Sequence, residues 1–310
     1  MVDYLVIMRK AYLELHLAVL LFGFTAILGK LLSLPAVSLV WWRVCITSLS
    51  MLFLVGIVRT LRELPLRRIM QYLGVGCIVG LHWMTFFGSI KASNASIALV
   101  AIATTSFFTS LIEPLILRRR AIGVEMFLGI LIIPAMILVV RGVDTSMHTG
   151  IWLGLASAVL AALFASLNKL LIGHAKPLQI AYFELTGVWI FVSVLLLLRH
   201  LVYPDLAEIA GVNMQLLLPE NSDWIYLLIL ALVCTTFAYV LAIQSLHHLS
   251  AFASTLVINL EPIYGIVLAW LILKENRELT GGFYAGVGII LLVVFSYPFL
   301  RRVRYKNVKP

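Results

Sequence analysis

The chain has 310 residues, of which 62% are hydrophobic and 12% charged, and its mean hydropathy is +1.06. Soluble domains run at about 45–50% apolar and about 25% charged, so this composition excludes a soluble globular protein and indicates a polytopic membrane protein. The formal net charge of +9 does not point to nucleic acid, because the basic residues cluster in short connections between apolar blocks.

Ten apolar blocks reach the ~20 residues a helix needs to cross roughly 30 Å of hydrocarbon. They are predicted at residues 12–34, 36–58, 69–91, 93–117, 122–141, 150–173, 178–199, 224–246, 250–273 and 281–300. The first lacks a small-residue cleavage site and runs on into a second block, so it reads as a retained helix and not a leader. The expected fold is therefore all-α, with ten transmembrane helices. Arg9, Lys10, Arg59, Arg62, Arg67, Arg68, the run Arg118 to Arg120, Lys176 and the basic C-terminal segment fall on alternate connections. The remaining connections carry only Arg141, Arg199, Lys274 and Arg277, which by the positive-inside rule places both termini in the cytoplasm. Cys45, Cys77 and Cys234 lie inside spans without paired spacing and read as small packing residues.

A charge at the bilayer centre costs at least about 2.5–3.5 kcal/mol, so intramembrane polar residues are the best pointers to a site. Along the chain these are Lys30, Arg43, His82, Glu113, Asn168, Lys169, Glu184, Tyr239, Gln244, Asn259 and Glu261. Arg43 follows Trp41 and Trp42; it can grip a carboxylate with two donors or anchor an interfacial aromatic belt. In the third span His82, Thr85, Phe86 and Ser89 recur at helical spacing beside Trp83, a stripe suited to a cavity wall. His82 is then a proton acceptor or a satisfied interhelical hydrogen-bonding group. Glu261 and Pro262 stand together within an apolar run, where a proline breaks the helix and is tolerated beside protein or water. That makes Pro262 a candidate hinge. Asn259 and Glu261 become substrate or coupling groups, or Glu261 is a structural carboxylate set against Arg43.

Sliding the chain by 157 residues lays Ser93 on Ser250 without a gap. Identities occur at Ser93, Leu99, Val100, Leu111, Gly129, Ile132 and Ile133. Under this shift Thr104 corresponds to Glu261 and His82 to Tyr239, while a shift of 139 sets Lys30 against Lys169. Two five-span halves, residues 1–148 and 149–310, follow. Because five is odd, they are inverted relative to each other, the arrangement from which alternating access is built. Lys30 and Lys169 then sit towards opposite faces, as gates or as snorkelling anchors, with Glu113 and Glu184 near Lys169 for an inner ion pair.

The segment Asn259, Leu260, Glu261, Pro262, followed by an apolar helix ending in Lys274 and Glu275, resembles the EamA family of the drug/metabolite transporter superfamily. The resemblance spans the chain through its span count, cytoplasmic termini and duplicated halves. It departs where Thr105 replaces the first repeat's usual proline and Arg118 to Arg120 replace a Gly-Glu end. It implies a carrier that moves small organic solutes, often outward, through a central cavity in a bacterial inner membrane.

The alternatives are a membrane-embedded enzyme and a channel or scaffold subunit. The sequence has no HExxH, no Walker-type glycine loop and no repeated filter. No metal or other cofactor is expected; the expected partners are a small-molecule substrate, the bilayer and protons. Glu261 and Arg43 with Lys169, beside Trp42, Trp83 and Phe86, suit a zwitterion with an apolar portion, such as an amino acid.

Overall fold

The computed structural model describes residues 2–56, 60–61, 63–118, 123–202, 218–246, 257–258, 260–277 and 279–306. Among them there is no strand. In chain order the helices are α1 (Val2–Leu31), α2 (Ala36–Val55), α3 (Leu66–Ala92), α4 (Ala95–Ala103), α5 (Thr105–Ile116), α6 (Gly123–Arg141), α7 (His148–Leu171) and α8 (Pro177–Val202). They are followed by α9 (Asp223–Leu228), a π-helical stretch at Ile229–Phe237, α10 (Ala238–Leu246), α11 (Glu261–Leu268), a second π stretch at Ala269–Leu273, and α12 (Gly281–Lys306).

Seven helical segments among the described residues are long and apolar enough to cross a membrane, and about half of each is buried in the protein. Three shorter apolar helices, Ile130–Arg141, Glu261–Leu273 and Gly281–Val293, occupy the fifth, ninth and tenth predicted positions.

The predicted fourth span is not continuous. It breaks at Thr104, between α4 and α5, and the local chemistry explains why. The hydroxyls of Thr104, Thr105 and Ser106 donate to the carbonyls of Ala101, Ile102 and Ala103 at 2.6, 2.6 and 3.4 Å. Three successive side chains thus compete for carbonyls that a regular helix would use. The Thr104 amide itself bonds to Ala101 O at 3.1 Å, tightening the turn. In the second half Leu260, the residue before Thr104's counterpart Glu261, has nearly the same backbone angles as Thr104 and donates its N–H to Val257 O at 3.0 Å, just before α11 begins. Pro262 therefore lies in the first turn of α11, where its missing N–H would have no intrahelical partner in any case.

Helix α3 lies between α7 and α8, α12 pairs with α6, and α1 packs on both α10 and α11. Two close approaches fix this arrangement. A Cβ on Gly76 of α3 would meet Glu184 O of α8 at 2.2 Å, and one on Gly187 would meet Leu73 O at 2.5 Å, so only glycine fits on either side. Gly23 and Gly265 do the same for α1 and α11, where a Cβ on Gly23 would stand 2.9 Å from Gly265 N and 3.1 Å from Glu261 O. That contact sets the depth at which Glu261 enters the interior. Gly74, Gly281 and Gly288, by contrast, have open space around them.

Candidate functional site

Arg43, on α2, is 4% exposed. Its guanidinium lies 4.1 Å from the centroid of the Trp83 ring on α3 and 5.6 Å from that of Phe87, which gives a buried cation two aromatic faces. Its Nε donates to Thr235 Oγ1 at 2.9 Å, while Nη1 is buried without a protein partner. Thr235 can serve this way because of the π stretch. Its hydroxyl donates five residues back to Leu230 O at 2.7 Å and still has a lone pair for Arg43. Thr236 likewise reaches Ala231 O at 3.0 Å, and from α2 Thr47 donates to the same carbonyl at 3.2 Å. Ser50 meets Thr236 at 2.9 Å. A hydroxyl ladder thus fastens α2 to the widened turn.

Glu261, at the start of α11, lies within electrostatic reach of Arg43. It is half-buried, and no protein hydrogen bond reaches its carboxylate among the described residues. Glu261, Arg43, Trp83 and Thr235 therefore form one interior constellation drawn from four elements.

The other expected site residues separate into distinct groups. His82 is buried, with Nδ1 at 2.9 Å from Ser157 O and 2.8 Å from Ser157 Oγ, so it bonds between α3 and α7. Its ring lies 6.4 Å from that of Phe86 and 5.3 Å from that of Phe164. Ser89 further along faces Gly154 of α7, so the polar stripe of α3 forms a seam with a neighbouring helix. Trp42 stands edge-on to Trp41 and Trp224, each at 4.9 Å. Tyr239 packs with Met51, Ala181 and Leu185 and lies within electrostatic reach of Glu184. Thr104 is buried at the break described above. Asn259 lies outside the described residues.

Near the predicted cytoplasmic end, Lys169 Nζ pairs with Glu113 Oε1 at 2.5 Å, and Asn168 Nδ2 donates to Glu184 Oε2 at 3.2 Å. At the opposite end Lys30 donates to Ser93 O at 2.9 Å, and Lys91 donates to Leu32 O. Two carboxylates of the second half complete that end. Asp223 accepts from Ser33 N and Oγ at 3.0 and 2.5 Å. Glu275 accepts from Ala95 N, Ser96 N and Ser96 Oγ at 2.9, 2.8 and 2.6 Å, capping α4.

Neither Asp223 nor Thr235 features in the expectations from sequence, and Glu275 enters them only as the end of the EamA-like segment. A signal existed for Glu275 and Asp223: each is an acid at the edge of an apolar block. Thr235 and Thr236 could have been flagged as adjacent hydroxyls in an apolar run. A separate apolar groove of about 390 Å³, lined by Thr104, Phe107, Phe108, Ile133, Ile137 and Trp152 among others, lies between α5, α6 and α7, apart from Arg43.

Stacked apolar helices around a buried cation and a half-buried acid define a polytopic membrane protein with charged groups in its interior. The model of the EamA-like transporter family matches residues 9–141 and again residues 148–297. The chain belongs to that family, and each match covers one of its two repeats. No curated protein matches the sequence. A solved structure described only as "Crystal structure of protein" is similar in fold, with a TM-score of 0.60 and 14% identity, over 95% of this chain and 99% of that one.

Proposed function

We propose that the protein is a secondary carrier that exports amino acids or related zwitterions from the cell by alternating access through a central cavity. In this reading ten membrane-crossing helices form two inverted repeats, residues 1–148 and 149–310, in the inner (plasma) membrane, with both termini cytoplasmic. Family membership supports the carrier class. Arg43 carries the substrate class: its Nη1 is buried without a partner while Nε is held by Thr235. A buried cation left short of acceptors is strongly unfavourable, and a substrate carboxylate supplies what is missing. Glu261, half-buried and facing the same charge, takes the ammonium group, and the partly exposed Trp83 offers aromatic surface to an apolar side chain. Asn259, Tyr239 and Thr104 are further candidate wall residues. Lys30 on one side, and Lys169 with Glu113 on the other, act as gates, with Pro262 as a hinge in the first turn of α11.

The test is efflux from liposomes loaded with a labelled amino-acid mixture, with binding measured in parallel. Arg43→Gln and Glu261→Gln are expected to abolish both while leaving folded, inserted protein. Binding confined to sugars or polyvalent cations, or wild-type flux in both variants, overturns the reading.

A further inference from the structure

A second buried polar cluster, between α7 and α8, lacks one hydrogen. Asn168 Nδ2 donates to Glu184 Oε2 at 3.2 Å. The other two oxygens of this pair, Asn168 Oδ1 and Glu184 Oε1, are both buried, and neither has a donor. Glu184 is only 8% exposed. Two orphaned acceptors on two side chains already joined by one hydrogen bond are an expensive arrangement for a carboxylate and an amide. One hydrogen removes both deficits. With a proton on Oε1, Glu184 becomes a donor as well as an acceptor, and acid and amide can close a ring of two hydrogen bonds.

We propose that Glu184 and Asn168 form a proton-binding site, separate from Arg43 and Glu261, through which the carrier couples transport to a proton gradient. The proposal rests on the carrier reading above for its role in transport, but the occupancy of the site stands independently of it.

The surroundings favour a proton over a metal ion or a lysine as the missing partner. Hard cations take six or more oxygens, and no group of three metal-type side chains occurs among the described residues. Lys169, next to Asn168 on α7, is paired with Glu113 of α5 at 2.5 Å. From α3, Tyr72 lies within electrostatic reach but donates its hydroxyl to Leu171 O at 3.3 Å. Arg68, one turn before it, donates to Gln71. From α10, Tyr239 lies within electrostatic reach and is neutral as a phenol. From α2 the packing side chain is Met51, against Ala181 and Leu185. Loading is a plain transfer. A hydronium O–H bond breaks, an O–H bond forms at Glu184 Oε1, and one water and one neutral acid result. Unloading reverses it once water reaches the pair from the other side.

The experiment uses full-length protein in liposomes with ¹³C at the glutamate side-chain carboxyls. Infrared spectra near neutral pH are expected to contain a protonated-carboxyl stretch that Glu184→Gln removes and Glu261→Gln leaves in place. The side-chain amide introduced by Glu184→Gln can donate to Asn168 Oδ1 as the acid would, so the variant keeps the wild-type melting temperature. Its efflux loses the response to an imposed proton gradient. The proposal is overturned if the stretch is absent from the wild type, if it survives in Glu184→Gln, or if that variant retains the gradient response. Should the liposomes transport no amino acid at all, the carrier reading falls on that arm while the infrared arm still decides the proton site.

Discussion

Replacing Glu275 with alanine removes one acceptor group from three donors at the start of α4: Ala95 N, Ser96 N and Ser96 Oγ. Glu275 is 3% exposed and Ala95 and Ser96 are fully buried, so water has little room to substitute. Each orphaned buried amide costs about 1–3 kcal/mol. Loss of an anion from a helix N-terminus adds about 0.3–1 kcal/mol. With two amides the total is about 2–7 kcal/mol, and even the lower end corresponds to roughly thirtyfold in an equilibrium constant. The assay is native-state hydrogen exchange, read by mass spectrometry on peptides that begin at Ser93, beside thermal unfolding. Glu275→Ala should speed exchange at Ala95 and Ser96 by at least roughly thirtyfold. Glu275→Gln, which keeps a carbonyl but loses the charge, should fall between. The Ile97 amide, held by Asn94 Oδ1 at 2.9 Å, serves as an internal reference. Wild-type exchange and melting in Glu275→Ala would refute the view that this carboxylate secures the end of the bundle.

Gly76→Ala puts a Cβ 2.2 Å from Glu184 O and should destabilise the protein by about 1–3 kcal/mol, whereas Gly74→Ala, in open space, should be neutral or slightly stabilising; comparing melting temperatures decides. Thr235→Val withdraws the acceptor of Arg43 Nε and should cost about 1–3 kcal/mol in unfolding experiments, with Thr235→Ser restoring most of it. Asp144, in the connection before α7, is held below the ordinary carboxylate range by hydrogen bonds from the Ser146 side chain and then its backbone N–H, with His148 adding in the same direction. Because the folded value is depressed, its contribution is fully present above the unfolded value of about 3.9 and is lost as pH falls through the folded one. A carboxyl NMR titration should show Asp144 turning below the ordinary aspartate value, and a midpoint at or above that value would contradict this.

The positions of the helices were legible because blocks of apolar residues about 20 long have few other uses. The interruption at Thr104 was not, since threonine and serine barely disturb hydropathy. What they disturb is the carbonyl ladder, which a reading of hydropathy does not track. Within the site, Arg43 and Glu261 stood out because a charge in hydrocarbon demands an explanation. Trp83 was noticed as a neighbour of the His82 stripe, yet it serves Arg43, because residues one apart on a helix point in different directions. Thr235 escaped notice because a hydroxyl in a membrane helix usually bonds to its own backbone, as this one also does.

The π stretch at Ile229–Phe237 has a counterpart in the first repeat, Tyr72 to Gly80, which is ordinary α-helix. An α-helix advances about 100° per residue, so a stretch wound more widely acts as a phase shifter between the segments it joins. Upstream, Asp223 points at Ser33; downstream, Tyr239 packs beside Met51 and Leu185. Straightening the stretch into α-helix would rotate one of these contacts out of alignment with the other. Equal length of the two aligned stretches therefore conceals unequal winding, and the second half can match the first in outline without being superimposable on it turn for turn.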